Sequence, residues 1–151
     1  STVTGNSNQT KLNINGGSTQ GSVGSNNTVS ETITGNSNLI IQDITTSGVS
    51  TTTSITGSNN QVTSSISTAG SGSSVSNTVS GNQNVYNIQQ ADTGVHSLVM
   101  NTSGDYNAIT TQQQGSNNST MNISTTGNNN TITVRSTNSG SISMPMTAIV
   151  R

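Results

Sequence analysis

The sequence predicts an all-β protein: a β-solenoid of stacked two-strand coils with about 22 residues per coil. Three observations predict it: a composition that is polar yet almost free of charge, a recurring glycine–asparagine pair, and alternation of apolar and polar residues on both sides of that pair.

Of the 151 residues, 25% are hydrophobic and 5% charged, the formal net charge is -1, and Cys, Trp and Phe are absent. Low apolar content favours disorder when it comes with high net charge, and here the net charge is near zero. Uncharged Ser, Thr, Asn and Gln instead suit strands laid on their own copies, because each side chain can hydrogen-bond to its equivalents above and below. A column of like charges at the strand spacing of about 4.8 Å would repel by roughly 1 kcal/mol per neighbour even in water. Scarce charge is therefore what a stacked architecture requires.

The same composition excludes several function classes. Lys11, Arg135 and Arg151 are the only basic residues, and no aromatic platform accompanies them, so nucleic acid is not an expected partner. No apolar run exceeds three residues, as in Leu39-Ile40-Ile41, far too short for a membrane span.

The repeat is a Gly followed three residues later by an Asn. It occurs as Gly5/Asn8, Gly24/Asn27, Gly35/Asn38, Gly57/Asn60, Gly81/Asn84, Gly104/Asn107, Gly115/Asn118 and Gly127/Asn130. The Gly-to-Gly steps are 19, 11, 22, 24, 23, 11 and 12 residues, close to one or two multiples of about 11 to 12. Two residues beyond the Asn stand Val29, Ile40, Val62, Tyr86, Ile109 and Ile132, with Thr10 and Thr120 at the remaining two sites. Alternation around a Gly/Asn turn reads as strand–turn–strand, with Gly and Asn supplying positive φ. These six apolar residues form the expected inward column, and the Gly/Asn pairs the expected turns and side-chain ladders.

The longer steps need a second turn, for which Gly16-Gly17, Gly48, Gly70 to Gly72 and Gly94 are the candidates. Six or seven coils then fit in the chain and stack to a block about 30 Å tall. No coil buries much alone, and stacking makes the Ile and Val columns continuous. A single-chain solenoid and an intertwined trimeric fibre both remain compatible with this pattern.

The chain divides into a repeat domain, residues 1–138, and a C-terminal cap or docking strand, residues 139–151, where the pattern breaks and the only Pro, Pro145, occurs. Met144, Met146, Ile149 and Val150 are its candidates for docking on another subunit. No comparable cap is evident at the N-terminus. Open strand edges promote pairing with other chains, and a head-to-tail contact that does not close produces a filament.

Chemistry-bearing residues are sparse. Glu31, Asp43, Asp92 and Asp105 are well separated, and His96 is the only histidine. Catalysis needs positioned acids, bases or nucleophiles, so neither enzyme activity nor a cofactor or metal is expected. His96 is expected in a loop or facing outward from a strand.

The residues from Val3 to about Val134 resemble the curlin repeat of curli-type functional amyloid, which runs roughly Gln-x-Gly-x-x-Asn, then alternating residues, then a closing Gln. Gln113-x-Gly115-x-x-Asn118 matches the opening. Gly81-x-x-Asn84-x-Tyr86-x-Ile88-x-Gln90 and Gly104-x-x-Asn107-x-Ile109-x-Thr111-x-Gln113 match the continuation. The resemblance implies secretion, self-assembly as a head-to-tail homopolymer into an extracellular fibre or biofilm matrix, and a nucleator or surface anchor as further partner. A start at Ser1 is also what removal of an export signal would leave. The alternative is a binding module: an adhesin or phage or cell-surface fibre, or an ice-binding solenoid with Thr arrays, although Thr does not recur at one fixed register across the coils.

Overall fold

A computed structural model describes residues 1–14, 26–67, 72–137 and 146–149. They form thirteen strands and no helix. The odd-numbered strands are β1 (Thr2–Thr4), β3 (Thr28–Thr34), β5 (Ser50–Thr56), β7 (Ser74–Ser80), β9 (His96–Ser103), β11 (Ser119–Thr126) and β13 (Met146–Ile149). The even-numbered strands are β2 (Gln9–Ile14), β4 (Leu39–Ile44), β6 (Gln61–Ser67), β8 (Val85–Ala91), β10 (Ala108–Gln114) and β12 (Thr131–Thr137).

Odd strands make one seven-stranded sheet in the order β1-β3-β5-β7-β9-β11-β13, and even strands make a six-stranded sheet. Every pairing is parallel. Consecutive strands therefore face each other across the core as an arch and pair only with the coils above and below. The chain builds this β-solenoid by itself: its thirteen strands make six two-strand coils with β13 as a further half, at about 23 residues per coil, in line with the six or seven coils of about 22 that the spacing suggested. The steps are uneven: Asn8 to Asn38 spans 30 residues, against 22 for Asn38 to Asn60.

The interior follows from period-two alternation, in which every other side chain of each strand points to the opposite sheet. Ile33, Ile55 and Val79 stack along the odd sheet, and Ile40, Val62, Tyr86, Ile109 and Ile132 along the even one. All of these are buried. Thr102 and Thr125, at the same position relative to their glycines, are also buried and continue the first of these columns.

One inward assignment needs correction, that of Val29, and the two Thr sites of the motif add no buried residue. Val29 is only half-buried, because β1 is too short to cover it: its three residues pair with Thr32 to Thr34 and leave the start of β3 uncovered. Thr10 shares the column of Ile40 but is exposed, since it lies in the first coil. Thr120 points outward and Ser119 inward, because β11 lies in register on β9 with Ser119 against the buried His96 and Thr120 against Ser97.

The two ends differ. In the first coil Val3 and Leu12 are each 45% exposed. In the last, Ile132 and Val134 are 5% and 4% exposed, although β12 is the outermost strand of its sheet. At that end β13 lies along β11 and extends the odd-strand sheet.

Candidate functional site

Six of the eight Gly/Asn pairs fall on one edge of the solenoid, where each odd strand turns into an even one: Gly5/Asn8, Gly35/Asn38, Gly57/Asn60, Gly81/Asn84, Gly104/Asn107 and Gly127/Asn130. The backbone of these turns is repeated from coil to coil. Gly81 illustrates the first position: its φ is +136°, and an added Cβ would collide with the carbonyl oxygen of Gly104 in the next coil. The left-handed residue that follows is not the motif Asn but the one before it: Ser37, Asn59, Gln83, Tyr106 and Asn129 have φ of 55°, 58°, 56°, 59° and 60°. The motif Asn is selected by its side chain instead.

Asn38, Asn60, Asn84, Asn107 and Asn130 are all buried, and the amides of the first four are fully committed within the stack. Asn84 donates its backbone N–H and its Nδ2–H to Oδ1 of Asn60, both at 3.0 Å. Its second Nδ2–H donates to the Gly104 carbonyl of the next coil at 2.8 Å. Its Oδ1 in turn accepts from Asn107 N and Nδ2 at 2.9 and 3.0 Å. Asn38, Asn60 and Asn107 make the same set. Such chains of hydrogen bonds polarise and reinforce one another in a low-dielectric interior.

A second ladder runs beside the first. The residue after each glycine is an acceptor for the backbone of the coil below: Asn6 N donates to Asn36 Oδ1 at 2.8 Å, Ser58 N to Asn82 Oδ1 at 2.9 Å, and Asp105 N to Asn128 Oδ1 at 2.7 Å. The signal was present in the sequence, since Gly+1 is Asn, Asn, Ser, Asn, Asp and Asn in these six turns. It is hard to see in a chain where Asn and Ser are everywhere. It also accounts for Asp105, whose carboxylate accepts from both Asn82 N and Nδ2.

The ladder ends unfilled. Asn130 Oδ1 is buried and has no partner. At the other end, Asn8 accepts from Asn38 N and Nδ2 and donates one Nδ2–H to Gly35 O at 2.7 Å, while the other amide proton reaches only Thr4 O at 3.4 Å.

The opposite edge, where even strands turn into odd ones, is irregular. Gly48, Gly72 and Gly94 lie in turns there, as do Gly115 and the exposed Asn118, whose Oδ1 accepts from Val95 N at 3.0 Å. Asn27 Oδ1 accepts from Val49 N at 2.9 Å. Neither of these bonds is the Asn-on-Asn link of the other edge, which corrects the expectation of equivalent turns on both edges. Gly24, Gly16-Gly17 and Gly70 lie outside the described residues. So do Met144 and Val150, while Met146 and Ile149 stand in β13.

His96 reverses its expected placement. It opens β9 with 0% exposure, its Nε2 2.9 Å from the Ala91 carbonyl and its Nδ1 2.8 Å from Ser119 Oγ. A carbonyl only accepts, so Nε2 carries the proton and Nδ1 accepts from the serine hydroxyl. His96 stands one position before Ser97, which pairs with Ser74, and so lies level with the buried Ser73. Nearby, Gln90 Nε2 donates to Gln113 Oε1 at 2.9 Å, so the two closing glutamines are buried and stacked. Burial pushes the Tyr86 phenol up from its ordinary pKa; its hydroxyl faces Thr102, and neither completes a hydrogen bond.

The outer face of the odd-strand sheet is a lattice of hydroxyls. Thr34, Thr56, Ser80, Ser103 and Thr126 form one exposed column. Thr28, Ser50, Ser74, Ser97 and Thr120 form another. No column is all threonine, but Ser and Thr together do keep register. A shallow furrow runs between two columns, lined by Thr78, Ser80, Asn101, Ser103, Ser124 and Thr126. Among the described residues no three metal-ligating side chains gather, and no helix is long and apolar enough to cross a membrane.

Fold and stacked turns together define a parallel β-solenoid with an asparagine-laddered edge. Compared with known proteins, the chain matches no family model, no curated protein and no solved structure.

Proposed function

We propose that the protein is a structural subunit that stacks end to end with copies of itself into a fibre outside the cell, in the manner of curli-type repeats. One observation carries the reading: the two ends of the asparagine ladder are complementary. Asn130 presents a buried acceptor without a donor, and Asn8 presents a backbone N–H and a poorly used amide proton. In the body of the solenoid these are the groups that join one coil to the next. A buried polar atom left without a partner costs roughly 1–3 kcal/mol, and stacking of a second copy supplies the partner. The first coil adds exposed Val3 and Leu12, apolar surface that a neighbouring coil would cover.

The test is to concentrate purified protein and image it. Unbranched filaments giving a meridional reflection near 4.8 Å are expected. Protein that stays monomeric under all conditions, with no partner required to explain it, overturns the reading.

A second reading has its own observation, the hydroxyl lattice and furrow on the odd-strand face. An uncharged, ordered surface of this kind suits ice or a neutral glycan. Thermal hysteresis and a glycan array distinguish the two, and silence in both at high concentration removes this reading.

A further inference from the structure

We propose that the outer edges of β11 and β12 are the docking surface for the β1–β2 coil of a second copy, and that β13 is a stopper seated in the place of the incoming β1. This rests on the end-to-end stacking proposed above and concerns how that stacking is controlled.

The register assigns the seat. β13 sets Thr147, Ala148 and Ile149 against Ser124, Thr125 and Thr126. Followed down the sheet from strand to strand, those three columns end on Thr2, Val3 and Thr4. The backbone of β13 thus stands in the columns, and in the parallel sense, that β1 would take if a second copy continued the solenoid.

The strand count makes the two occupants exclusive. The odd sheet has seven strands and the even sheet six, so β13 is half a coil. A second copy that laid β1 on β13 would leave a strand-wide gap between β12 and its own β2, with the edge groups of both exposed or buried unpaired. A second copy that laid β2 on β12 finds β13 where its β1 must go. Gapless continuation requires β13 to leave.

The turn ladder says which occupant completes the end. With β13 seated, Asn130 Oδ1 has no partner. An incoming first coil repeats the bonds seen at every interior step: Asn8 N and Nδ2 donate to Asn130 Oδ1, Asn130 Nδ2 donates to the Gly5 carbonyl, and Asn128 N donates to Asn6 Oδ1. The column assignments also put Leu12 over Val134 and Thr10 over Ile132. Length favours the exchange as well. β13 has four residues, whereas the incoming coil brings the three of β1 and the six of β2. The closed last coil, with Ile132 and Val134 at 5% and 4% exposure against 45% for Val3 and Leu12, is the state of that end with the stopper seated.

The experiment locks and removes the stopper in the full chain. Ser124→Cys with Thr147→Cys places two thiols at paired positions on neighbouring parallel strands, within disulfide reach. Elongation from sonicated seeds is followed by light scattering and electron microscopy, oxidised and then reduced. Oxidation is expected to halt growth at that end, and reductant to restore it. Ala148→Pro, which removes a ladder N–H from β13, is expected to speed elongation about ten-fold if the seat is otherwise vacant about a tenth of the time. A chain ending at residue 145 should behave the same way. Equal elongation by the oxidised and reduced lock, or slower growth of both Ala148→Pro and the shortened chain, overturns the stopper while leaving fibre formation intact. Absence of fibres from every variant, reduced and shortened forms included, overturns the stacking itself and the stopper with it.

Discussion

The two edges of the solenoid solve the same problem, reversing the chain between sheets, in opposite ways. On the laddered edge six turns share one backbone path, and every buried Asn amide between the ends is bonded above and below. On the other edge the turns vary in length: five residues separate β4 from β5, and four separate β8 from β9 and β10 from β11. There Asn118 bonds the backbone of Val95, and Asn27 that of Val49 and Thr46, in place of an Asn-on-Asn link. The difference teaches where register is set. Parallel stacks tolerate slippage wherever side chains do not distinguish one alignment from the next. A ladder requiring Asn on Asn at one edge fixes the alignment for both sheets and frees the other edge to vary.

Substitutions that treat the edges alike should therefore give unlike results. The largest effect is expected from Gly81→Ala, whose methyl meets the Gly104 carbonyl at a φ of +136°; about 4 kcal/mol of stability should be lost in urea denaturation, from backbone strain and collision together. Gly72→Ala on the irregular edge has φ +99° but only Val95 Cγ1 at 3.7 Å, so the loss there should be nearer 1 kcal/mol. A similar loss at both sites would break the comparison.

Asn84→Ala comes next. It strips the donors to Asn60 Oδ1 and Gly104 O and the acceptor for Asn107, and should cost about 3 kcal/mol by the same measurement. Asn77→Leu sharpens the point with the opposite sign. Asn77 is fully buried, yet neither its Oδ1 nor its Nδ2 has a partner. Replacing it with an apolar residue of similar size should raise the thermal midpoint, by the equivalent of about 1 kcal/mol. The smallest effect should be that of Asn118→Ala, exposed and singly bonded, at under about 1 kcal/mol.

Much of this edge was legible in the sequence, and the reason is physical. Gly with Asn three residues on is a paired requirement, one for backbone conformation and one for the ladder, and it survives any drift in the rest of the coil. The inward positions of Ile40, Val62, Tyr86, Ile109 and Ile132 followed from it by parity, counted from a turn of constant length. Parity failed on the other edge, where the turns share no common path. His96 and Ser119 are inward because they pair with each other one position before Ser97 and Thr120, in the column that also holds the buried Ser73, a long-range alignment no local pattern records. The Gly+1 acceptors escaped notice for another reason: Asn, Ser and Asp share that role through the oxygen alone, so their identities look interchangeable with those of solvent-facing residues. The expected inward role of Val29 was weakened by the length of β1, which depends on the coil below and not on the residues around Val29.

The asparagine ladder also has a bearing on the solvents the protein can endure. Acid unfolds most proteins by protonating carboxylates that the native state holds charged, and concentrated salt loosens those that rely on exposed ion pairs. A column whose every link runs from an amide proton to an amide or peptide oxygen contains nothing to titrate and no charge to screen. Coils held in register this way should keep their alignment in vinegar or in brine, where an edge zipped by lysine and glutamate would let go.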